Sequence, residues 1–409
     1  GLNYAFEQSI AQFKDEIYQG RAILARAPVF DVERVEVLRG TQSIMFGKNA
    51  TAGAINTTTK GATSGTEGYL SLSVGSLNEQ KVEGAFNTDI NDDWSARIAV
   101  LDKSVDGFMT NDFDNSDIGG LEQSGIRLGL SGSLSTDLSV NLKLEHDVSN
   151  VDRSARQYFI EPDQLADAMA QGYPGGLVNM LQHNGPIDNH LYISDPDPVG
   201  QQKSFIVELE SDSAVLKIDY ELGDNTLTSI TSYIDYTWNY SYDPTYSEQN
   251  WIGVARDEEF NQFSQEFRIV SPETGFFDYI VGFYYNKQNL ELAQSGDIYN
   301  FIAVPIPGAG FGMLSDFAQD TESYAAFTSL GFQINSKLKA TVGLRYDNET
   351  KDVETVQTMY SEDFGMPAAV GKGIADAIFA GLGAGNLDLN ESTSENHLSP
   401  GVKFTYQYN

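Results

Sequence analysis

The stretch Ile230-Thr-Ser-Tyr-Ile-Asp-Tyr-Thr-Trp-Asn-Tyr-Ser-Tyr-Asp243 alternates along its whole length. Ile230, Ser232, Ile234, Tyr236, Trp238, Tyr240 and Tyr242 fall on one face, opposite Thr231, Tyr233, Asp235, Thr237, Asn239, Ser241 and Asp243. A period of two belongs to a strand and not to a helix, and this run is about twice as long as a usual soluble strand. Its apolar face passes from aliphatic to aromatic toward one end. That change is expected where a strand leaves hydrocarbon and enters a membrane interface, so the Ile230–Tyr242 face is read as the lipid face.

Working outward, the same alternation recurs. Leu138, Val140, Leu142 and Leu144 interleave with Ser139, Asn141, Lys143 and Glu145. Ala214, Leu216, Ile218, Tyr220 and Leu222 interleave with a set that is polar except for Val215, and Leu338 through Tyr346 and Leu398 through Tyr408 repeat the pattern. The connections have a rhythm of their own. Short turns rich in Asp, Asn, Ser or Gly fall at 91–93, 135–137, 223–225, 271–276 and 335–337. Longer polar links fall between them, at 104–124, 149–203, 243–258, 293–320 and 349–396. With a hairpin at 76–80 and a strand at Gly68, the count is about 12 strands rising and falling in turn, as in an outer-membrane barrel with short periplasmic turns and long outer loops.

Composition agrees. The 409 residues hold 21 Tyr, 23 Phe and 38 Gly, yet mean hydropathy is negative and no apolar run approaches the length of a membrane helix. A transmembrane β-barrel reconciles these facts, because only alternate residues meet lipid. With 58 Asp plus Glu against 25 Lys plus Arg, the formal charge of -33 would repel a phosphate backbone, so nucleic acid is not an expected partner. Cysteine is absent, which removes disulfides and thiolate chemistry together. The four histidines fall in no metal-ligand spacing, and Asp112, Asp114 and Asp117 lack the glycine and terminal glutamate of a calcium loop. No cofactor, metal or catalytic constellation is expected, and the chain does not read as an enzyme. Short helices are expected inside two loops, at Pro162–Gln171 and Lys372–Leu382. The Gly, Ser and Thr content of 61–67 marks a hinge, dividing a small mixed α/β unit at 1–60 from the strands of 68–409.

The run Asp31-Val-Glu-Arg-Val-Glu-Val-Leu-Arg-Gly40, then Phe46-Gly-Lys-Asn-Ala-Thr-Ala-Gly53-Ala-Ile-Asn56 and Lys60, resembles the C-terminal half of the plug domain of TonB-dependent receptors. Ser264-Gln-Glu-Phe-Arg-Ile-Val-Ser-Pro272, Val281-Gly-Phe-Tyr-Tyr285 and Gly343-Leu-Arg-Tyr-Asp347 are similar to strands of the same family's barrel. The resemblance implies the later part of a plug followed by the first half of a 22-stranded barrel in the outer membrane. Two departures stand out. Thr41 replaces a usual Pro, and Asp15-Glu16 replaces a usual Asp-Gly. Loss of that glycine removes a residue tolerant of positive φ, so the hairpin there is expected to be distorted or differently paired.

The resemblance also implies active import of a scarce bulky nutrient with energy delivered by TonB. A ferric siderophore is the first expectation, with an oligosaccharide as the alternative and a non-transporting surface-binding barrel beyond that. By the same resemblance Arg39 locks the plug to Glu266 of the barrel, with Arg34 and Glu36 in support. Ligand contacts are expected from Arg21 and Arg26 at the plug apex, which follows a strand at 13–18, and from Tyr240, Tyr242, Tyr246 and Trp251. For Tyr240 and Tyr242 a membrane-interface girdle is the favoured role. Lipid and TonB are the other implied partners.

Overall fold

In the computed structural model, residues 8–41, 43–47, 50–111, 115, 117–152, 190–191, 206–242, 252–273, 275–299, 310–361 and 386–408 are described. Twelve antiparallel strands form one sheet. They are β5 (Glu67–Val74), β6 (Gln80–Asp89), β7 (Trp94–Val105), β10 (Leu121–Ser135), β11 (Leu138–Asp152), β13 (Ile206–Leu222), β14 (Asn225–Tyr242), β15 (Ile252–Val270), β16 (Phe277–Tyr299), β17 (Gly310–Asn335), β18 (Leu338–Ser361) and β19 (Leu387–Tyr406). Each pairs with the next along the chain, with β5 and β19 at the edges. Three short pieces, β8 (Met109–Asn111), β9 (Asp117–Ile118) and β12 (His190–Leu191), form a separate small sheet. Both expected loop helices lie outside the described residues.

Every short turn read from the sequence joins two strands of this meander. The strands run further into the expected long links than alternation suggests: β15 begins at Ile252, β16 continues to Tyr299 and β18 to Ser361. The reason is solvent. Beyond the membrane a strand has water on its outer face and a wet lumen on its inner one, so both faces are polar and the hydropathic alternation that marks a strand fades.

Before the wall lies a four-stranded sheet of order β2-β1-β4-β3, built from β1 (Ile10–Lys14), β2 (Ile17–Tyr18), β3 (Val32–Arg39) and β4 (Gly53–Thr59). β1 and β4 run parallel, and the other pairs are antiparallel. The only helical pieces among the described residues are a 3-10 turn at Ala22–Arg26 and α1 (Ser43–Phe46). The expected single strand over 13–18 is instead the hairpin β1–β2, with Lys14 opposite Ile17. It keeps its two-residue turn without the glycine: Asp15 and Glu16 adopt φ of 52° and 70°, the geometry of a type I′ turn. Asp15 offsets its strain locally, since its carboxylate accepts from the Thr59 amide at 2.9 Å and the Thr59 hydroxyl at 2.7 Å. Gly53, at φ 151°, is irreplaceable in a different way, because a Cβ there would stand 2.4 Å from the Leu38 carbonyl oxygen across the β3–β4 ladder.

The two faces of the wall separate cleanly, and one expectation is reversed. Ile230, Ser232, Ile234 and Tyr236 are among the most buried residues of the protein and face the lumen, where the apolar members of the row pack with Ile17 and Leu24 of the plug. The plug fills the lumen at this height and supplies a dry surface for them, so the apolar face of β14 is a core face. Lipid instead meets the opposite row, of which Leu227 and Tyr233 are exposed. Exposed aromatics Tyr233, Phe263, Tyr324 and Tyr346 mark the belt toward the long connections, and Phe277 with Phe332 (rings 5.3 Å apart) mark it toward the short turns.

The strain at Glu16 has a measurable sign. E16A retains a side chain at positive φ and E16G does not, while neither variant can bond Lys217 or Arg268. The pair therefore isolates the backbone, and E16G should be the more stable by about 0.5–1 kcal/mol in thermal unfolding. Equal stability would mean that the turn relaxes.

Candidate functional site

The contact between plug and wall is built from charge. Each barrel strand presents alternate residues to the lumen, and on this wall many of them are charged. Asp31, buried at the start of β3, receives a two-pronged bond from Arg97 of β7, at 2.6 and 2.7 Å, and both side chains are almost fully inaccessible. Lys14 on β1 lies 2.6 Å from Glu145 of β11, which Arg127 of β10 also grips at 2.8 and 3.1 Å. Arg127 in turn donates to the Phe30 carbonyl at 3.2 Å and lies 4.4 Å from the centre of that ring. Asp15 meets Lys143 of β11 at 2.7 Å. Glu16 reaches Lys217 of β13 at 2.6 Å and is bonded to Arg268 of β15. Arg21 meets the fully buried Glu258 of β15 at 2.9 Å, and the Tyr236 hydroxyl donates to the same carboxylate oxygen.

These charge-assisted bonds range from the fully buried Asp31–Arg97 pair to the part-exposed Glu16–Lys217 pair, and in the part-exposed ones water can take the place of a lost partner. Burial pushes the Glu16 carboxyl upward, but Arg268 and Lys217 together outweigh it and hold the group below its ordinary 4.5.

Two sequence-family models cover the chain: the plug domain of TonB-dependent receptors matches residues 4–54, and the TonB-dependent receptor-like β-barrel matches residues 152–409. The chain belongs to the TonB-dependent receptors. Its receptor relatives include the pesticin receptor of Yersinia enterocolitica, 24% identical over 379 residues, which cover 91% of this chain and 49% of that protein. A probable TonB-dependent siderophore receptor, PiuA of Acinetobacter baumannii, is 24% identical over 215 residues, 51% of this chain and 26% of its own. Among solved receptors, the ferric yersiniabactin uptake receptor FyuA of Yersinia pestis superposes with a TM-score of 0.76 at 16% identity, over 98% of this chain and 54% of that one. The ferric-catecholate import receptor Fiu of E. coli K12 gives 0.68 at 17%, over 98% and 61%. At these identities the superpositions speak for the fold. The chain spans about half the length of the curated relatives it matches. As a receptor of this family it is a bacterial outer-membrane protein and not an enzyme.

Within this receptor the expected site residues are distributed differently from the sequence reading. Glu266 pairs with Arg268 at 3.1 Å, so it reaches the plug through the arginine that holds Glu16. Arg39 is exposed at the end of β3. Arg34 is half-exposed between Glu33 (3.1 Å) and Glu36 (3.4 Å), and Glu36 accepts from Asn56 within the plug sheet. Arg21, expected to face ligand, is committed to Glu258 on the wall, while Arg26 is exposed and offers its carbonyl to Gln123. Tyr240 lies on the lumen face of β14, stacked on Trp238 with centroids 5.4 Å apart and planes 13° from parallel. Arg256 lies 5.8 Å from the Trp238 ring and donates to Gln294 at 2.8 Å. Tyr242 continues the same strand, and Tyr246 and Trp251 lie outside the described residues. Lys14, Asp15, Glu16 and Asp31 carry the plug's side of the contact and were not read from the sequence. Their wall partners Lys143, Glu145 and Lys217 were visible there as the polar phase of amphipathic strands. What they face depends on how the plug is inserted, which alternation does not encode.

Two measurements test this joint. D31N leaves the buried Arg97 guanidinium only the exposed Glu67 carboxylate, 3.2 Å away, and should destabilise plug docking by about 2 kcal/mol, with D31N/R97M recovering most of the loss, read by protease access to the plug. Because the Glu16 carboxyl is held below 4.5, its contribution is fully present above that value and fades as pH falls through the lowered one. The Glu16 share of plug protection, read as the difference between wild type and E16Q, should therefore be flat from about pH 7 to 5 and decline in stronger acid.

Proposed function

We propose that this chain is part of a transporter that imports a ferric siderophore across the outer membrane with energy delivered by TonB. The observation that carries the reading is a separately folded sheet seated inside a lipid-facing wall and fastened by ion contacts from Asp31, Lys14, Asp15, Glu16 and Arg21. A permanent seal is better made dry and apolar. Charged bonds that water can replace suit a stopper that must be released. In this reading 1–60 is plug, 61–67 hinge and 68–409 barrel, with Glu266 serving the lock through Arg268.

The ligand platform is Trp238, Tyr240 and Arg256, on the long-connection side of the Arg21–Glu258 contact. Parallel rings beside a guanidinium suit a flat ligand that carries negative oxygens, as an aromatic iron chelator does. The names of the relatives point the same way: one is a ferric yersiniabactin uptake receptor, another a ferric-catecholate import receptor.

Deleting the full-length gene should abolish uptake of radio-iron supplied as the cognate chelate and leave other iron sources unaffected. W238A and R256A should each weaken chelate binding to the purified receptor about tenfold, which is about 1.4 kcal/mol, with the fold intact. Unchanged iron uptake in the deletion, together with binding of an oligosaccharide, would replace the siderophore with a sugar.

A further inference from the structure

Among the charges around the plug's seat, one carboxyl stands apart. Glu145 and Asp147 are two residues apart on β11 and so share its lumen face, and both are buried, at 8% and 4% exposure. Glu145 has a full set of donors: Lys14 of the plug reaches it at 2.6 Å, and Arg127 grips its two oxygens at 2.8 and 3.1 Å. Asp147 is placed differently. Lys14 stands 3.6 Å from its Oδ2, outside hydrogen-bond reach, and its Oδ1 is inaccessible and accepts no bond from the described residues. That oxygen packs against the Phe30 ring and Gly125, where a Cβ would lie 2.6 Å from both.

The two carboxyls are in hydrogen-bond contact with each other. An ionised carboxylate only accepts, so two of them cannot form that bond, and one must carry a proton. The surroundings decide which. A carboxylate that accepts from an ammonium and twice from a guanidinium stays ionised, whereas an oxygen set against an aromatic edge favours the neutral form. The other charged groups facing this part of the wall are engaged elsewhere: Asp15 with Lys143 at 2.7 Å, and Asp212 with His146 at 3.0 Å.

We propose that Asp147 holds a proton while the plug is seated and gives it up to water when the plug is released, so that seating the plug is coupled to binding a proton. The inference concerns the seat itself and holds whichever nutrient the receptor carries. Release takes away Lys14 and Phe30 together and opens this part of the wall to water. Glu145 keeps Arg127, its partner on the wall, whereas Asp147 gains the hydration that burial denied it and ionises as an ordinary carboxyl does. Over the range where a hydrated carboxyl is ionised and the buried one is not, the seated state binds one proton more than the released one. A rise in pH there favours release, by about tenfold in the opening equilibrium per pH unit. The direction is opposite to that of Glu16, whose contribution fades in acid.

In the full-length receptor, Asp147→Asn keeps the shape of the side chain and can still donate to Glu145, but has no proton to lose. Protease access to the plug should therefore rise in the wild type relative to D147N by about tenfold per unit between about pH 5 and 7. A ratio that stays constant across this range means that Asp147 is ionised while the plug is seated, and overturns the inference. A second measurement needs only the wild type. Release of its plug by urea in weakly buffered solution at about pH 7 should liberate about one proton per receptor, followed with a pH indicator, and D147N should liberate about one fewer. No net proton from the wild type, or the same yield from D147N, also overturns it.

Discussion

Glu16 is held between Lys217 and Arg268, two cations from different strands of the wall, and the seat of the plug depends on that contact. The residue stands at φ 70° in a tight hairpin where a glycine would be unstrained. A glycine has no side chain with which to reach the wall. The backbone strain, of order 1–2 kcal/mol, is therefore accepted at the point where a carboxylate can bridge two strands. Its neighbour Asp15 ties the same turn inward to Thr59 and outward to Lys143. One two-residue turn thus joins plug sheet and barrel wall at once.

Everything inside the wall follows from having a solid body there. An empty lumen of this width would be water-filled, and its lining would be polar throughout. Here the lining is divided: Ile230, Ile234, Phe260, Leu290 and Leu292 pack on Ile17 and Leu24 of the plug, while charged positions flank this dry patch and meet the plug's ionised side chains. The apolar patch supplies cohesion without direction, and the ion pairs fix the angle at which the plug sits. Around α1, the side toward β18 and β19 is made differently. It has glycine surface, with Ile44 lying directly over Gly343 and Gly401.

The sequence by itself determined the wall. Alternation is a local property, and a strand between two different solvents must show it, so strand count, turn positions and the small N-terminal unit could be read from Leu138, Leu216 or Leu344 and their neighbours. It determined the family too, through the Asp31–Lys60 motif. It did not determine which solvent each face meets. The β14 row from Ile230 to Tyr242 is equally consistent with lipid and with a packed plug, because a side chain responds to dryness and not to which body provides it. Nor did it give the strand ends beyond the membrane, where water on both faces removes the signal. The lock was hidden for a third reason. Lys14, Asp15, Glu16 and Asp31 lie between 66 and 252 positions from their partners along the chain, and only the insertion of one sheet into the other brings these charges together.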